Sequence, residues 1–131
     1  MGLKIKRFKH KTENWIASHV QKYFTKLTGH DIPFKIDWDS FGDIDDNEDI
    51  VKKGLSYSLF ESNIKSLCSD ELGKDAYKEC VQELIVRQTN SENIDEIGYV
   101  LEKGALIFVS NQKKRIYGSK KEMEDKLIKL F

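Results

Sequence analysis

The amino-acid sequence predicts an α+β fold, in which an antiparallel sheet of about four strands carries helices mainly on one face. Apolar residues recur at helical spacing before the single proline, Pro33, and again near the carboxyl end, whereas short apolar runs alternate with turn residues between positions 97 and 117. The expected element order is α-β-α-α-β-β-β-α. A chain of 131 residues fits one domain, so residues 1–131 are expected to form a single globular unit.

The first helix is expected at residues 13–28. Thr12 fits the N-cap position and Gly29 fits the C-cap position. The basic segment before it, residues 1–11, is a short terminal arm that we expect to be solvated and frayed. The apolar positions that define the helix are Trp15, Ile16, Val20, Tyr23, Phe24 and Leu27.

A strand is expected directly after Pro33. Phe34, Ile36 and Trp38 alternate with polar residues, which is the period-2 pattern of a half-buried strand. The expected strand ends where a dense run of acidic residues begins.

Two more helices are expected in the middle of the chain. Asn47 can cap the first of them, because acidic residues follow it and an apolar stripe runs through residues 50–60. Ser69, Asp70 and Glu71 open the second, which leads into a strand near residues 84–87.

The last part of the chain turns to β structure and closes with a helix. Segments 98–101, 105–110 and 115–117 are expected to form a meander of two or three strands joined by polar turns. Ser119 and Glu122 have the spacing of a capping box, so we expect the final helix to begin there.

Charge is segregated along a chain that is neutral overall, with 22 basic and 22 acidic side chains. Residues 1–30 carry seven basic side chains against one acidic, whereas residues 31–50 carry eight acidic against one basic. Zero net charge gives no general attraction to nucleic acid or to an anionic membrane, so the sequence does not favour nucleic acid as a partner. The two segments can neutralise each other, or the acidic one can meet a basic partner.

The sequence predicts a cytoplasmic protein without a membrane span. Its longest uninterrupted apolar run, residues 105–109, is far shorter than the roughly 20 residues that a membrane-spanning helix needs. No apolar core of signal-peptide length follows the N-terminal lysines. Cys68 and Cys80 have no CxxC spacing, and we expect buried thiols in a reducing compartment.

The most informative segment is 37–49, where seven carboxylates occupy thirteen positions. Such a density needs a counter-charge from a metal ion, a basic partner, the protein's own Lys and Arg, or water and salt. Clustered carboxylates steer positively charged proteins towards a surface, so we predict that a protein partner binds there. Trp38 and Phe41 are expected either to anchor the segment to the core or to form the apolar centre of the patch. The predicted contact residues are Asp39, Asp43, Asp45, Asp46 and Glu48.

An alternative follows from the spacing of the same acids. With Asp37 at position one, residues 37–48 resemble an EF-hand calcium loop, with Gly42 at the sharp turn and Glu48 at the bidentate last position. The resemblance implies bound Ca²⁺ or Mg²⁺. It departs from the pattern at Phe41, where an oxygen ligand is expected. The ligands that it implies are Asp37, Asp39, Asp43, Asp45 and Glu48.

Candidate catalytic groups are few. All three histidines precede Pro33, both cysteines lie far downstream, and the metalloprotease, nucleophile-elbow and phosphate-loop motifs are missing from the sequence. An enzyme of unrecognised class is therefore a second alternative. The sequence favours a small non-catalytic protein that binds a macromolecular partner through residues 37–49 and needs no cofactor.

Overall fold

The structure of the chain is a computed structural model, which describes residues 2–42, 58–111, 114, 116 and 118–131. In these residues a four-stranded sheet packs against helices. The helices are α1 (Leu3–Trp15), α2 (Gln21–Thr28), α3 (Ser58–Leu67), α4 (Glu71–Cys80) and α5 (Lys120–Ile128). The strands are β1 (Phe34–Ile36), β2 (Glu83–Gln88), β3 (Gly98–Glu102) and β4 (Ala105–Ser110).

The N-terminal helical region begins at Leu3, earlier than the sequence predicts. Thr12, the expected N-cap, lies inside α1, where its Oγ1 donates a hydrogen bond to the Phe8 carbonyl oxygen at 2.8 Å. A π-helical segment, Ile16–Val20, joins α1 to α2. The predicted C-cap is confirmed, because Gly29 ends α2 with a φ of 72°. Residues 3–11 therefore belong to this helical region.

The sheet is mixed, and the prediction of an antiparallel sheet is wrong. The strand order is β1-β2-β4-β3, with β1 and β4 parallel to β2 and with β3 antiparallel to β4. Helices α3 and α4 lie between β1 and β2 in the chain, and so provide the long crossover that parallel strands need.

The hairpin of β3 and β4 docks on β2 through its second strand. Strand β4 is buried on both faces over most of its length, whereas β3 exposes Val100 and Glu102. Burial on both faces is typical of strands that have parallel neighbours inside a sheet, which agrees with the inner position of β4 and the edge position of β3. The hydrophobic pattern predicts the hairpin but not which of its strands pairs with β2.

The other expected elements are recovered in part. Asp70 caps α4 by accepting a hydrogen bond from the Gly73 amide at 2.7 Å, and Ser119 caps α5 by accepting one from the Glu122 amide at 3.2 Å. At the position of the last meander strand, Ile116 forms an isolated bridge with Asn111. Residues 115 and 117 lie outside the described part of the chain, as do residues 47–57 of the helix expected before α3.

One apolar core joins the helices to one face of the sheet. Phe60 of α3 lies at its centre, with its ring centroid 5.2 Å from that of Phe108, 5.4 Å from that of Phe24 and 5.7 Å from that of Tyr99. No helix in the described part of the chain is long and apolar enough to cross a membrane.

Two buried tyrosines differ in how their hydroxyls are satisfied. Tyr99 Oη donates a hydrogen bond to Asn63 Oδ1 at 2.6 Å, and both side chains are buried. Tyr77 is fully buried as well, but its Oη has no hydrogen-bond partner among the described residues. The nearby Thr28 hydroxyl donates instead to the Phe24 carbonyl oxygen at 2.8 Å.

We expect Tyr99→Phe to lower the free energy of unfolding by about 1–3 kcal/mol, because it leaves a buried amide oxygen without its donor. Tyr77→Phe removes a hydroxyl without a partner and should be neutral or slightly stabilising. Urea unfolding followed by circular dichroism measures both. Equal losses in the two variants would contradict the assigned bonding.

The same tyrosines predict how stability falls at alkaline pH. Burial raises the pKa of both hydroxyls above the ordinary value of 10.0, so the unfolded chain loses these protons first. The stability that they contribute is complete below about pH 10 and is lost as the pH rises from there towards the folded-state pKa values.

We therefore expect the urea midpoint to fall above about pH 10 and to fall less steeply in the double variant Tyr77→Phe/Tyr99→Phe. Cys68 accounts for part of the remaining slope, because burial raises the pKa of its thiol from 9.0 to about 11. An unchanged slope in the double variant would show that the tyrosines are not responsible.

Candidate functional site

The acidic stretch begins at the carboxyl end of β1, beside the carboxyl end of β2. Asp37 Oδ2 accepts a hydrogen bond from Arg87 Nε at 2.8 Å, in an ion pair whose side chains are 28% and 39% exposed. The Asp37 amide also donates to the Val86 carbonyl oxygen at 2.9 Å. The first carboxylate of the stretch is thus neutralised by the protein's own arginine.

Trp38 joins the acidic stretch to the basic helix α1. Its Nε1 donates a hydrogen bond to Glu13 Oε1 at 2.9 Å, and Lys9 Nζ lies 5.5 Å from its ring centroid. Phe8 meets the indole edge to face, with the centroids 6.2 Å apart. Trp38 is half-buried against the core, and Phe41 is completely buried. Both aromatic residues therefore anchor the start of the stretch.

Asp39 is the one predicted contact residue that the structure describes. It is exposed and lies in a short 3-10 helix, Trp38–Phe41. Gly42 follows with a φ of 67°, a backbone conformation that favours glycine. The other contact residues, Asp43, Asp45, Asp46 and Glu48, lie outside the described residues, so the surface that they form stays a prediction.

The first part of the suggested calcium loop differs from an EF-hand in its surroundings. Strand β1, rather than a helix, leads into Asp37, whose carboxylate is bound by Arg87, and Phe41 at position five is buried in the core. Within the described ranges, no group of three or more His, Cys, Asp or Glu is placed to hold a metal ion. The metal site also stays a prediction, because its remaining ligands lie outside those ranges; these are Asp43, Asp45 and Glu48.

A buried polar network fixes the loops at this end of the sheet. Ser40 Oγ accepts a hydrogen bond from the backbone N–H of Gln88 at 2.9 Å and donates one to the Asp37 carbonyl oxygen at 2.6 Å. Gln88 Nε2 donates to Asn111 Oδ1 at 3.2 Å, and Asn111 Nδ2 donates to the Ser91 carbonyl oxygen at 2.9 Å. Gln88 and Asn111 are 4% and 1% exposed, so their amides depend on these partners.

Sequence reasoning missed Arg87, Gln88 and Asn111 as parts of this site. Each lies at the carboxyl end of a strand or just beyond it. Polar residues in that position meet at one edge only when the strands are parallel. The expectation of an antiparallel sheet therefore separated residues that the structure brings together.

A groove lies along the side of β1 that faces away from β2. It encloses about 350 Å³ between the strand and the junction of α1 with the π-helical segment. Lys35 lies at its rim, with Nζ 2.8 Å from Glu83 Oε2. The groove is lined by Glu13, Ile16, Ala17, Phe34, Lys35 and Ile36.

In the described part of the chain, no hydrogen bond joins the Cys68 thiol to a histidine. The Cys68 thiol is buried, and burial raises its pKa to about 11, so it stays protonated at neutral pH. The histidines make other contacts in the described part of the chain: His10 with Asn14, His19 with Trp15 and His30 with the Val81 carbonyl oxygen.

Comparisons of the chain with protein-family models, with curated proteins and with solved structures found no match.

The buried network leads to a prediction for Gln88→Met, which keeps the length of the side chain but removes its amide. We expect a loss of about 1–3 kcal/mol in the free energy of unfolding, because Asn111 and the Thr89 carbonyl oxygen lose a donor in a buried environment. Urea unfolding provides the measurement.

Gln82→Met makes the same change at an exposed position and should stay within about 0.5 kcal/mol of the parent protein. A Gln88→Met protein as stable as the Gln82→Met control would show that the network does not contribute to stability.

Proposed function

We propose that this chain is a non-catalytic cytoplasmic protein that binds a basic protein partner through the acidic surface of residues 37–49. The main support is a difference in ion pairing between the first two carboxylates of the stretch. Asp37 is paired with Arg87, whereas the exposed Asp39 has no ion pair with any described Lys or Arg. Beyond Asp37 the stretch thus begins with a charge that a partner can neutralise.

The rigidity of the underlying loops also supports a binding role. Ser40 is bonded to the Gln88 amide, and Trp38 and Phe41 are anchored in the core. A binding segment whose first residues are held in place loses less conformational entropy when a partner docks, which favours affinity.

The proposed role is binding without a chemical step. The protonated thiol of Cys68 and the separate contacts of the histidines support a binding role over catalysis by a nucleophile and base. The carboxylates of residues 37–49 then act through their charge, which steers and orients a basic partner.

Charge reversal tests the proposal with a defined probe, a fluorescent peptide of roughly ten residues that alternates Lys and Val. We expect the variant Asp39→Lys/Asp43→Lys/Asp45→Lys/Asp46→Lys to bind the peptide at least about tenfold more weakly, with unchanged circular dichroism. Fluorescence anisotropy at low and high salt measures the affinity, which should fall as salt screens the charges.

A matched control reverses four exposed acids elsewhere, Glu71, Asp75, Glu79 and Glu96, and so changes the net charge equally. If both variants lose the same affinity, or if neither loses any, the binding surface is not at residues 37–49.

A further inference from the structure

We propose that the partner binds as an extended strand along the open edge of β1, with side chains that enter the groove beside Ala17. The inference rests on the proposed function and specifies how the partner is recognised. The occupant is a basic, extended segment of another protein, in which Lys or Arg residues alternate with small apolar residues. Its backbone would continue the sheet, a mode of recognition that gives affinity through main-chain hydrogen bonds.

On the side that faces away from β2, the backbone of β1 has N–H and C=O groups that can bond to another strand. The Pro33 carbonyl oxygen and the Asp37 amide each bond to β2 at 2.9 Å. Because backbone direction alternates along a strand, Lys35 also faces β2, whereas the N–H and C=O groups of Phe34 and Ile36 face away from it. In the described part of the sheet, β1 is an edge strand with β2 as its neighbour.

The groove gives such a strand a place for its side chains. Phe34 and Ile36 are buried and form its floor, and Ile16 and the exposed, short Ala17 form the helical wall. Its volume of about 350 Å³ falls within the roughly 300–1,000 Å³ that is typical of ligand sites.

The charges around the groove favour a basic occupant. Lys35, at the rim, is already paired with Glu83. Glu13, on the groove wall, has no ion pair to a described cation. Just beyond the carboxyl end of β1, the exposed Asp39 also has none. These two carboxylates attract Lys and Arg to this edge of the sheet.

A second copy of this chain fits the edge less well. The antiparallel register in which Phe34 and Ile36 of both copies bond to each other places Lys35 directly opposite Lys35 of the other copy. Like charges in that position are destabilising, and a lysine in a short edge strand is a common device against self-association. We therefore assign the edge to another protein.

The test uses the same Lys-Val peptide and a groove-filling substitution. Ala17→Trp places an indole in the groove, and Ser18→Trp is the control, because Ser18 is exposed and does not line the groove. Two further versions of the peptide carry N-methyl groups on every second backbone amide. One version has them on the odd-numbered residues and the other on the even-numbered residues, so that each blocks the N–H groups on one side of the strand. We expect Ala17→Trp and one methylated version each to weaken binding about tenfold or more, whereas Ser18→Trp leaves it unchanged.

Amide hydrogen exchange observes the edge directly. In the free protein the Lys35 amide should be protected, because it bonds to β2, and the amides of Phe34 and Ile36 should exchange faster. Addition of the peptide should slow exchange at Phe34 and Ile36 without changing Lys35.

Three other outcomes would contradict the proposed binding mode, the proposed function or the assignment of the edge to another protein. Binding that responds to the acidic charge reversal but not to Ala17→Trp or to N-methylation would exclude strand addition and leave the proposed function standing. Failure of the peptide to bind would overturn both proposals. A dimer in sedimentation that Ala17→Trp abolishes and Ser18→Trp preserves would assign the edge to a second copy.

Discussion

Strand β1 and its parallel pairing with β2 position the described part of the candidate site. The strand is only three residues long, yet its register places Phe34 beside Leu84 and Ile36 beside Val86. Asp37 then reaches Arg87, and Ser40 reaches the Gln88 amide. The same pairing leaves the other side of β1 next to the groove. If β1 paired differently, the acidic stretch would start from another place and the network would have no common edge.

The fold brings part of the basic segment and part of the acidic segment together. The basic helix α1 and the start of the acidic stretch meet at Trp38, which bonds to Glu13 and lies beneath the ammonium group of Lys9. Neither contact pairs a basic side chain of α1 with a carboxylate of the acidic stretch, because both are made by the uncharged indole of Trp38. Arg87, from the middle of the chain, provides the ion pair to Asp37. The described start of the acidic stretch is therefore anchored by Trp38 and Phe41 together with the ion pair of Asp37.

The sequence was informative where a local interaction decides the structure. The caps at Gly29 and Ser119 depend on a few neighbouring residues, and they are found where they are expected. Asp70, which caps α4, is one of three residues expected to open that helix, whereas the N-cap expected at Thr12 is wrong because Thr12 lies inside α1. Strand direction is decided by packing between distant segments, and the antiparallel prediction failed because β1 and β4 both pair with β2 in the parallel direction. The same error concealed the meeting of Arg87 with Asp37. Such contacts between residues far apart in the chain have no periodic signal in the sequence.

Nuclear Overhauser contacts between β1 and β2 in isotopically labelled protein distinguish the parallel pairing of these strands from any other. We expect contacts in parallel order, from Phe34 to Leu84 and from Ile36 to Val86, together with contacts between the Asp37 amide and Val86. Contacts in the opposite order, from Phe34 to Val86 and from Ile36 to Leu84, would contradict it. The absence of any contact between the two strands would contradict it equally.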